Sequence, residues 1–352
     1  MSLPQGVTSQ RVQTSRLDTH YLRSGADDGV PVVFVHGNVS SGRFYAELMA
    51  SLPDTVLALA PDLRGFGDSE PAPIDATRGV KDFADDVRAF MTALGIGTAD
   101  RPAHLVGWSV GGGVVMQVAA TDPTGIASLL LEAPMSPYGF GGTKDAAGTP
   151  CFADWAGTGG GTANPDFVKR LGDKDTSADA DTSPRSIMNT YYVKPPFSFP
   201  AELEDDYVAS MVAISVGEDH YPGDLTSSEN WPTVAPGTKG INNAISGKWC
   251  DVSAFSSIDP KPPVVWIRGA DDQIVSDTSL FDFGFLGQIG AVPGWPGEDV
   301  FPAQPMIGQT RAVLDAYRAG GGQVDEVVLA DCGHSPHLEH PQTFQARLLA
   351  LL

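Results

Sequence analysis

Cysteine is scarce in this sequence, with 3 in 352 residues. A disulfide-built scaffold is thereby excluded, because such folds rest on several cysteine pairs in a short chain. Long apolar runs are missing too, and none reaches the roughly 18 residues a membrane-spanning helix needs. The opening MSLPQGVTSQR lacks the apolar stretch and small-residue cleavage site of a secretory signal, so a cytoplasmic setting is expected. Basic residues are few: 22 Lys+Arg stand against 43 Asp+Glu, for a net charge of -21. Such a surface repels phosphate, which argues against nucleic acid and anionic membranes as partners. Charged residues make up 18% of the chain, below the usual quarter or so. What the chain has in quantity is glycine (40) and proline (28), over a length that allows a large core.

Strand-like and helix-like segments alternate between Pro31 and Pro134. The runs Val32-Val33-Phe34-Val35, Thr55-Val56-Leu57-Ala58-Leu59-Ala60, His104-Leu105-Val106-Gly107 and Ser128-Leu129-Leu130-Leu131 are continuously apolar rather than alternating. That pattern suits strands buried on both faces of a parallel sheet. Val80, Phe83, Val87, Phe90 and Leu94 recur at helical spacing, and Gly95 supplies a stop. From about Met135 to Ile258 the periodicity fades into Gly, Ser, Thr, Asp and Pro. The strand pattern returns at Val264-Val265-Trp266-Ile267 and Val327-Val328-Leu329. The chain therefore reads as one α/β domain (1–134 and 259–352) interrupted by an insertion (135–258). The glycine-rich stretches 139–142 and 157–161 read as mobile loops.

Gly107-Trp108-Ser109-Val110-Gly111 is a G-x-S-x-G pentapeptide between a strand-like run and a small-residue helix, Gly112-Gly113-Val114-Val115-Met116. A serine nucleophile at a tight strand-to-helix turn needs glycines on both sides, and the helix N-terminus behind it favours developing negative charge. His36-Gly37-Asn38 follows the first strand. In this type of fold the main-chain amides of Asn38 and Val110 would bind the oxyanion of a tetrahedral intermediate. His36 itself reads as structural. In the loop Pro61-Asp62-Leu63-Arg64-Gly65-Phe66-Gly67-Asp68-Ser69, Asp62 and Arg64 are expected to pair and fix the loop beside that turn.

Three histidines, His334, His337 and His340, follow the last strand-like run. Prolines interrupt the helix that would align them on a metal, and no cysteine pair accompanies them, so zinc is not expected. His334, at a strand end, is the better general base, with His337 and His340 as fallbacks. The acid that orients the base would come from Asp271 or Asp272, just past the 264–267 strand, with Glu132 a lesser candidate. Cys151 and Cys250 both fall in the insertion, where they are the available pair for a disulfide, and Cys332 reads as a buried filler.

The ordered set HGN, PDLRGFGDS, GWSVGG, GADDQIV and CGHSPHLEHP resembles the α/β-hydrolase fold family. More narrowly, it resembles the branch of carboxylesterases, lactonases and carbon–carbon bond hydrolases, over about residues 20–134 and 259–352. The resemblance implies a mostly parallel sheet flanked by helices, with Ser109 as nucleophile and Asp272 as acid. It further implies His334 as base, Asn38 and Val110 as oxyanion donors, and neither metal nor organic cofactor. Asp272 is preferred to Asp271 because the family's acid lies three residues after the glycine and three before the valine. Serine at the elbow sets aside relatives that open epoxides or displace halide, which use aspartate there. The implied activity is cleavage of a carboxylic ester or lactone of a small, apolar acyl compound. Carbon–carbon or amide hydrolysis by the same triad is the alternative, and a non-catalytic binding protein on this fold is a third reading. Two departures concern substrate choice: the insertion exceeds the compact helical cap of most relatives, and the stretch from Asp272 to His334 carries an extra segment, 281–305. That segment is expected either to pack beside the insertion and wall the pocket or merely to cover exposed apolar core.

Overall fold

The computed structural model describes residues 2–352. Eight strands form one sheet: β1 (Thr8–Gln13), β2 (Asp18–Ser24), β3 (Val30–Val35), β4 (Val56–Pro61), β5 (Ala103–Trp108), β6 (Ile126–Glu132), β7 (Val264–Gly269) and β8 (Val324–Leu329). Their spatial order is β1-β2-β4-β3-β5-β6-β7-β8. β1 and β2 pair antiparallel, as do β2 and β4, and every other neighbour is parallel. β4 and β5 are buried along their whole length, and β3 and β6 all but completely. This is why their sequences are continuously apolar.

Two helices pack on each other and on the sheet: α1 (Lys81–Ala93) and α2 (Val110–Thr121). The inward stripe of α1 carries Phe83, Val87 and Phe90, all buried. α2 is buried from Val110 to Ala119, which explains a sequence rich in glycine, alanine and valine with Gln117 its one polar side chain in that span.

The chain between β6 and β7 is folded rather than loose. It contains α3 (Pro165–Gly172), a turn of π-helix (Met188–Tyr192), α4 (Ala201–Val212) and two short strand pairs. Phe167, Leu171, Tyr207, Val208 and Met211 join the same apolar cluster as the sheet. The expectation of mobile glycine loops is corrected here. Residues 141–142 and 157–160 are buried, and Asn243 ties the second stretch down by accepting from Gly160 N (2.8 Å) while donating to Asp224 O (2.7 Å) and Lys239 O (2.6 Å). The many glycines let main chain pack closely there, which local composition alone reads as looseness.

The extra segment after β7 packs against the insertion. Gln304 accepts from Gly141 N (2.6 Å) and donates to Gly139 O (3.0 Å), and the ring of Phe281 meets Tyr191 edge-on at 5.1 Å. Asp282 caps the helix Phe283–Gln288 by accepting from Phe285 N (3.2 Å). All three cysteines are free thiols, so Cys151 and Cys250 do not form a disulfide.

Candidate active site

The C-terminal ends of parallel strands gather the candidate residues. Asn38 lies just past β3, Ser109 directly follows β5, Asp272 lies past β7 and His334 past β8. This is the edge of an open α/β sheet where ligands bind.

Ser109 has φ 57° and ψ -117°, a conformation that costs a non-glycine residue roughly 1–3 kcal/mol. The surroundings enforce it. Its N–H donates to Glu132 O (2.9 Å), and its carbonyl accepts from Gly112 N and Met135 N (3.0 Å each). The two flanking chains approach closely enough to need glycine: a Cβ on Gly111 would lie 2.1 Å from Val35 O, and one on Gly37 would lie 3.0 Å from Ser109 Cβ. Ser109 sits at the N-terminus of α2, where the helix dipole favours an anion.

His334 Nδ1 lies 2.8 Å from Asp272 Oδ2, with both side chains buried. The other carboxylate oxygen accepts from Ile274 N (2.8 Å) and Val275 N (3.0 Å), which fixes the plane of the carboxylate. With Nδ1 donating to Oδ2, Nε2 is free to accept a proton. Ser109 Oγ is not hydrogen-bonded to the ring; both residues line the same cavity. Catalytic contacts of this kind often tighten only around substrate. The neighbouring Asp271 turns outward to Lys194 Nζ (2.9 Å).

The peptide between Gly37 and Asn38 is held from its carbonyl side. Gly37 O accepts from Ser40 Oγ and from His36 Nδ1, each at 2.8 Å. In a trans peptide the Asn38 N–H points the opposite way. His36 Nε2 accepts from Leu63 N (3.0 Å), and burial lowers the pKa of the ring, so His36 is a neutral strut.

The three clustered histidines diverge. His334 meets Asp272; His337 Nδ1 and N–H both meet Glu132 Oε1 (2.7 and 2.8 Å); His340 reaches only Asp331 O (3.3 Å). Glu132 is thus committed to His337 and not to His334. Among the described residues, no three His, Cys, Asp or Glu side chains converge as a metal site. The expected Asp62–Arg64 pair is also corrected. Arg64 forks onto Asp86 of α1 (2.6 and 2.8 Å), while Asp62 accepts from Gly42 N (2.8 Å), Asp68 N (3.0 Å) and His20 (2.7 Å). A helix carboxylate 22 residues away outcompetes the near neighbour because it offers bidentate geometry.

Two features escaped the sequence reading. Ser9, His20 and Asp62 form a second serine–histidine–aspartate chain, with Ser9 Oγ 2.8 Å from His20 Nε2. Ser9 is the second residue of the half-exposed edge strand β1, with no helix N-terminus behind it. Burial lowers the His20 pKa, but the Asp62 carboxylate outweighs it and the net shift is upward. The second feature is Tyr192, whose hydroxyl lies 3.1 Å from both Asn38 O and Val39 O. No local signal marks either one; both depend on contacts between distant parts of the chain.

The cavity beside Ser109 and His334 has a volume of about 340 Å³. The insertion contributes Phe140, Phe167, Ile187, Tyr191, Tyr192, Tyr221 and Ile245, the extra segment contributes Phe281, Phe283 and Leu286, and Leu280 just before it adds to the wall. Asn38, Asn164, Thr182 and Asn242 add polar groups, and no Asp, Glu, Lys or Arg is among the described residues that line it. Other aromatics of the insertion serve packing: Phe197 meets Phe199 edge-on, and Trp231 meets Phe301.

The profile of the alpha/beta hydrolase family matches residues 32–347. Lipase LipV of Mycobacterium tuberculosis is 36% identical over 121 residues, which is 34% of this chain and 42% of the lipase. The pimeloyl-[acyl-carrier protein] methyl ester esterase of Neisseria meningitidis is 35% identical over 112 residues, covering 32% of this chain and 40% of the esterase. This chain therefore aligns with about two fifths of the length of these relatives. The solved esterase RhEst1 from Rhodococcus sp. ECU1013 superposes with a TM-score of 0.59 at 17% identity, covering 98% of each chain. Among the described residues no helix is long and apolar enough to cross a membrane. With the profile spanning most of its length, the chain belongs to the alpha/beta hydrolase family.

Proposed function

We propose that this protein is a serine hydrolase that cleaves a neutral carboxylic ester or lactone through an acyl-enzyme on Ser109. The observation that carries the reading is the buried 2.8 Å contact of His334 Nδ1 with Asp272, beside a cavity that Ser109 and His334 share. Nε2 of His334 takes the Ser109 proton as Oγ attacks the substrate carbonyl. The N–H groups of Asn38 and Val110 receive the oxyanion, a contribution worth about 10²–10³ in rate per donor in such sites. His334 then returns the proton to the departing alkoxide. A water deprotonated by His334 attacks the acyl-enzyme, and Ser109 leaves reprotonated. None of these steps calls on a metal or an organic cofactor.

In this reading residues 135–258 act as a cap on a core made of 1–134 and 259–352. The uncharged lining favours a substrate without a free carboxylate, which would be buried there without a cation at a cost of several kcal/mol. Its volume lies at the small end of ligand pockets, about 300–1,000 Å³. The names of the lipase and methyl ester esterase relatives point the same way. Carbon–carbon or amide cleavage would use the same relay. Hydrolysis of p-nitrophenyl esters from acetyl to decanoyl tests the choice. The expected result is turnover that peaks at short or medium chains and is lost in Ser109→Ala. Turnover unaffected by Ser109→Ala would overturn it.

A further inference from the structure

The oxyanion turn is held from two sides, and one of them is the insertion. On the core side Ser40 and His36 fix Gly37 O, as described. On the other side the Tyr192 hydroxyl donates to the main chain at Asn38–Val39, with both carbonyl oxygens at 3.1 Å. Asn242, also in the insertion, accepts from Asn38 Nδ2 at 3.0 Å, while Asn38 Oδ1 accepts from Val39 N at 3.0 Å. Asn38 is therefore tied at its main-chain carbonyl and at both ends of its side-chain amide.

This turn needs holding. Val39 has φ 47°, a left-handed conformation that is costly for a β-branched residue. A strained turn relaxes unless its surroundings over-determine it, and relaxation here would swing the Asn38 peptide. Tyr192 suits the task. It ends a turn of π-helix, a feature frequent at functional sites. Its ring stands edge-on to Trp108, the residue before Ser109, with centroids 5.7 Å apart. Burial raises the pKa of its hydroxyl, so it stays a neutral donor across the working range.

We propose that Tyr192 and Asn242 are positioning residues for the oxyanion-binding turn, so that reaction at Ser109 requires the insertion to be docked on the core. This rests on the serine-hydrolase reading above and adds to it: the insertion completes the catalytic machinery as well as shaping the pocket. Tyr192 acts through the Asn38 N–H. Losing its hydroxyl should weaken binding of the transition state far more than binding of the ground state.

The test compares wild type, Tyr192→Phe and Asn242→Ala on the best p-nitrophenyl ester, together with the rate at which a fluorophosphonate labels Ser109. Tyr192→Phe is expected to lower kcat roughly ten- to hundredfold with KM changed by less than about threefold, as for a small misplacement of an oxyanion donor. Phosphonylation, which also develops charge on an oxygen in that site, should slow in parallel. Asn242→Ala is expected to show the same pattern at smaller size, and it carries the test if Tyr192→Phe fails to fold. Full kcat and labelling rate in the variants of an active wild type would overturn the proposal and leave the hydrolase reading intact. A change confined to KM would also overturn it, since that would make Tyr192 a substrate contact. A wild type that neither turns over nor labels would overturn the hydrolase reading and this inference with it.

Discussion

Asp272→Asn probes the relay with almost no change of shape. Asp272 Oδ1 accepts two main-chain N–H groups, from Ile274 and Val275. An asparagine has to place its carbonyl oxygen there, because an NH₂ would face two donors. Its NH₂ then takes the place of Oδ2, which lies 2.8 Å from His334 Nδ1. Facing a donor, the ring must make Nδ1 the acceptor and carry its proton on Nε2. That tautomer cannot accept the proton of Ser109. The same substitution in a serine protease triad costs about 10⁴ in kcat, or about 5 kcal/mol in the barrier. The assay is kcat on the best ester, with Asp271→Asn alongside. Asp271 is paired with Lys194 at the surface, so its loss should change kcat by less than about threefold. Both Oδ1 contacts survive in Asp272→Asn, so melting temperature should move by only a few degrees. Retention of more than about a tenth of the wild-type rate, or an equal loss in Asp271→Asn, would refute the argument.

Burial pushes the Asp282 carboxyl up to about 6, against main-chain N–H groups that pull it down. The folded state therefore holds this proton more tightly than the unfolded chain. The resulting stabilisation is full below about pH 4 and lost as pH rises through 6, roughly 3 kcal/mol in all and about 1.4 kcal/mol between pH 5 and pH 8. Urea denaturation of wild type and Asp282→Asn should show that difference in slope; parallel pH profiles would contradict it. Glu132→Ala strands the buried His337 N–H groups, and an unfolding free energy lower by about 3–5 kcal/mol is expected in the same assay. A loss below about 1 kcal/mol would mean that the site relaxes. Burial raises the thiol pKa of Cys151 and Cys250 to about 12 and that of Cys332 further still. A thiol reagent at pH 8 should thus find almost no reactive group in the native protein and three after unfolding.

The central strands were legible because burial on both faces writes itself as an uninterrupted apolar run, as in Val32-Val33-Phe34-Val35. β1 and β2 were not. β1 is a half-exposed edge strand, and its polar alternation resembles a loop. Ser109 and His334 could be singled out from local context, since a strained turn and a strand-end histidine leave sequence marks. The choice between Asp271 and Asp272 came from a family spacing, because two adjacent aspartates look alike until one is seen facing a lysine. The insertion was least readable. Its buried residues complete their packing with partners far along the chain, and its glycines mark close main-chain contact. Tyr192 carries no local mark, because its hydrogen bonds to Asn38 and Val39 join residues more than 150 positions apart.

On the proposed reading Ser109 is the nucleophile. Reaction with a fluorophosphonate, followed by digestion and mass mapping of the modified peptide, tests it without knowledge of the substrate. The alternative serine is on the molecule itself: Ser9 also has a histidine and an aspartate in line. One label per chain is expected, on Ser109, absent in Ser109→Ala and unchanged in Ser9→Ala. A label on Ser9, or none on the folded wild-type protein, would contradict that reading.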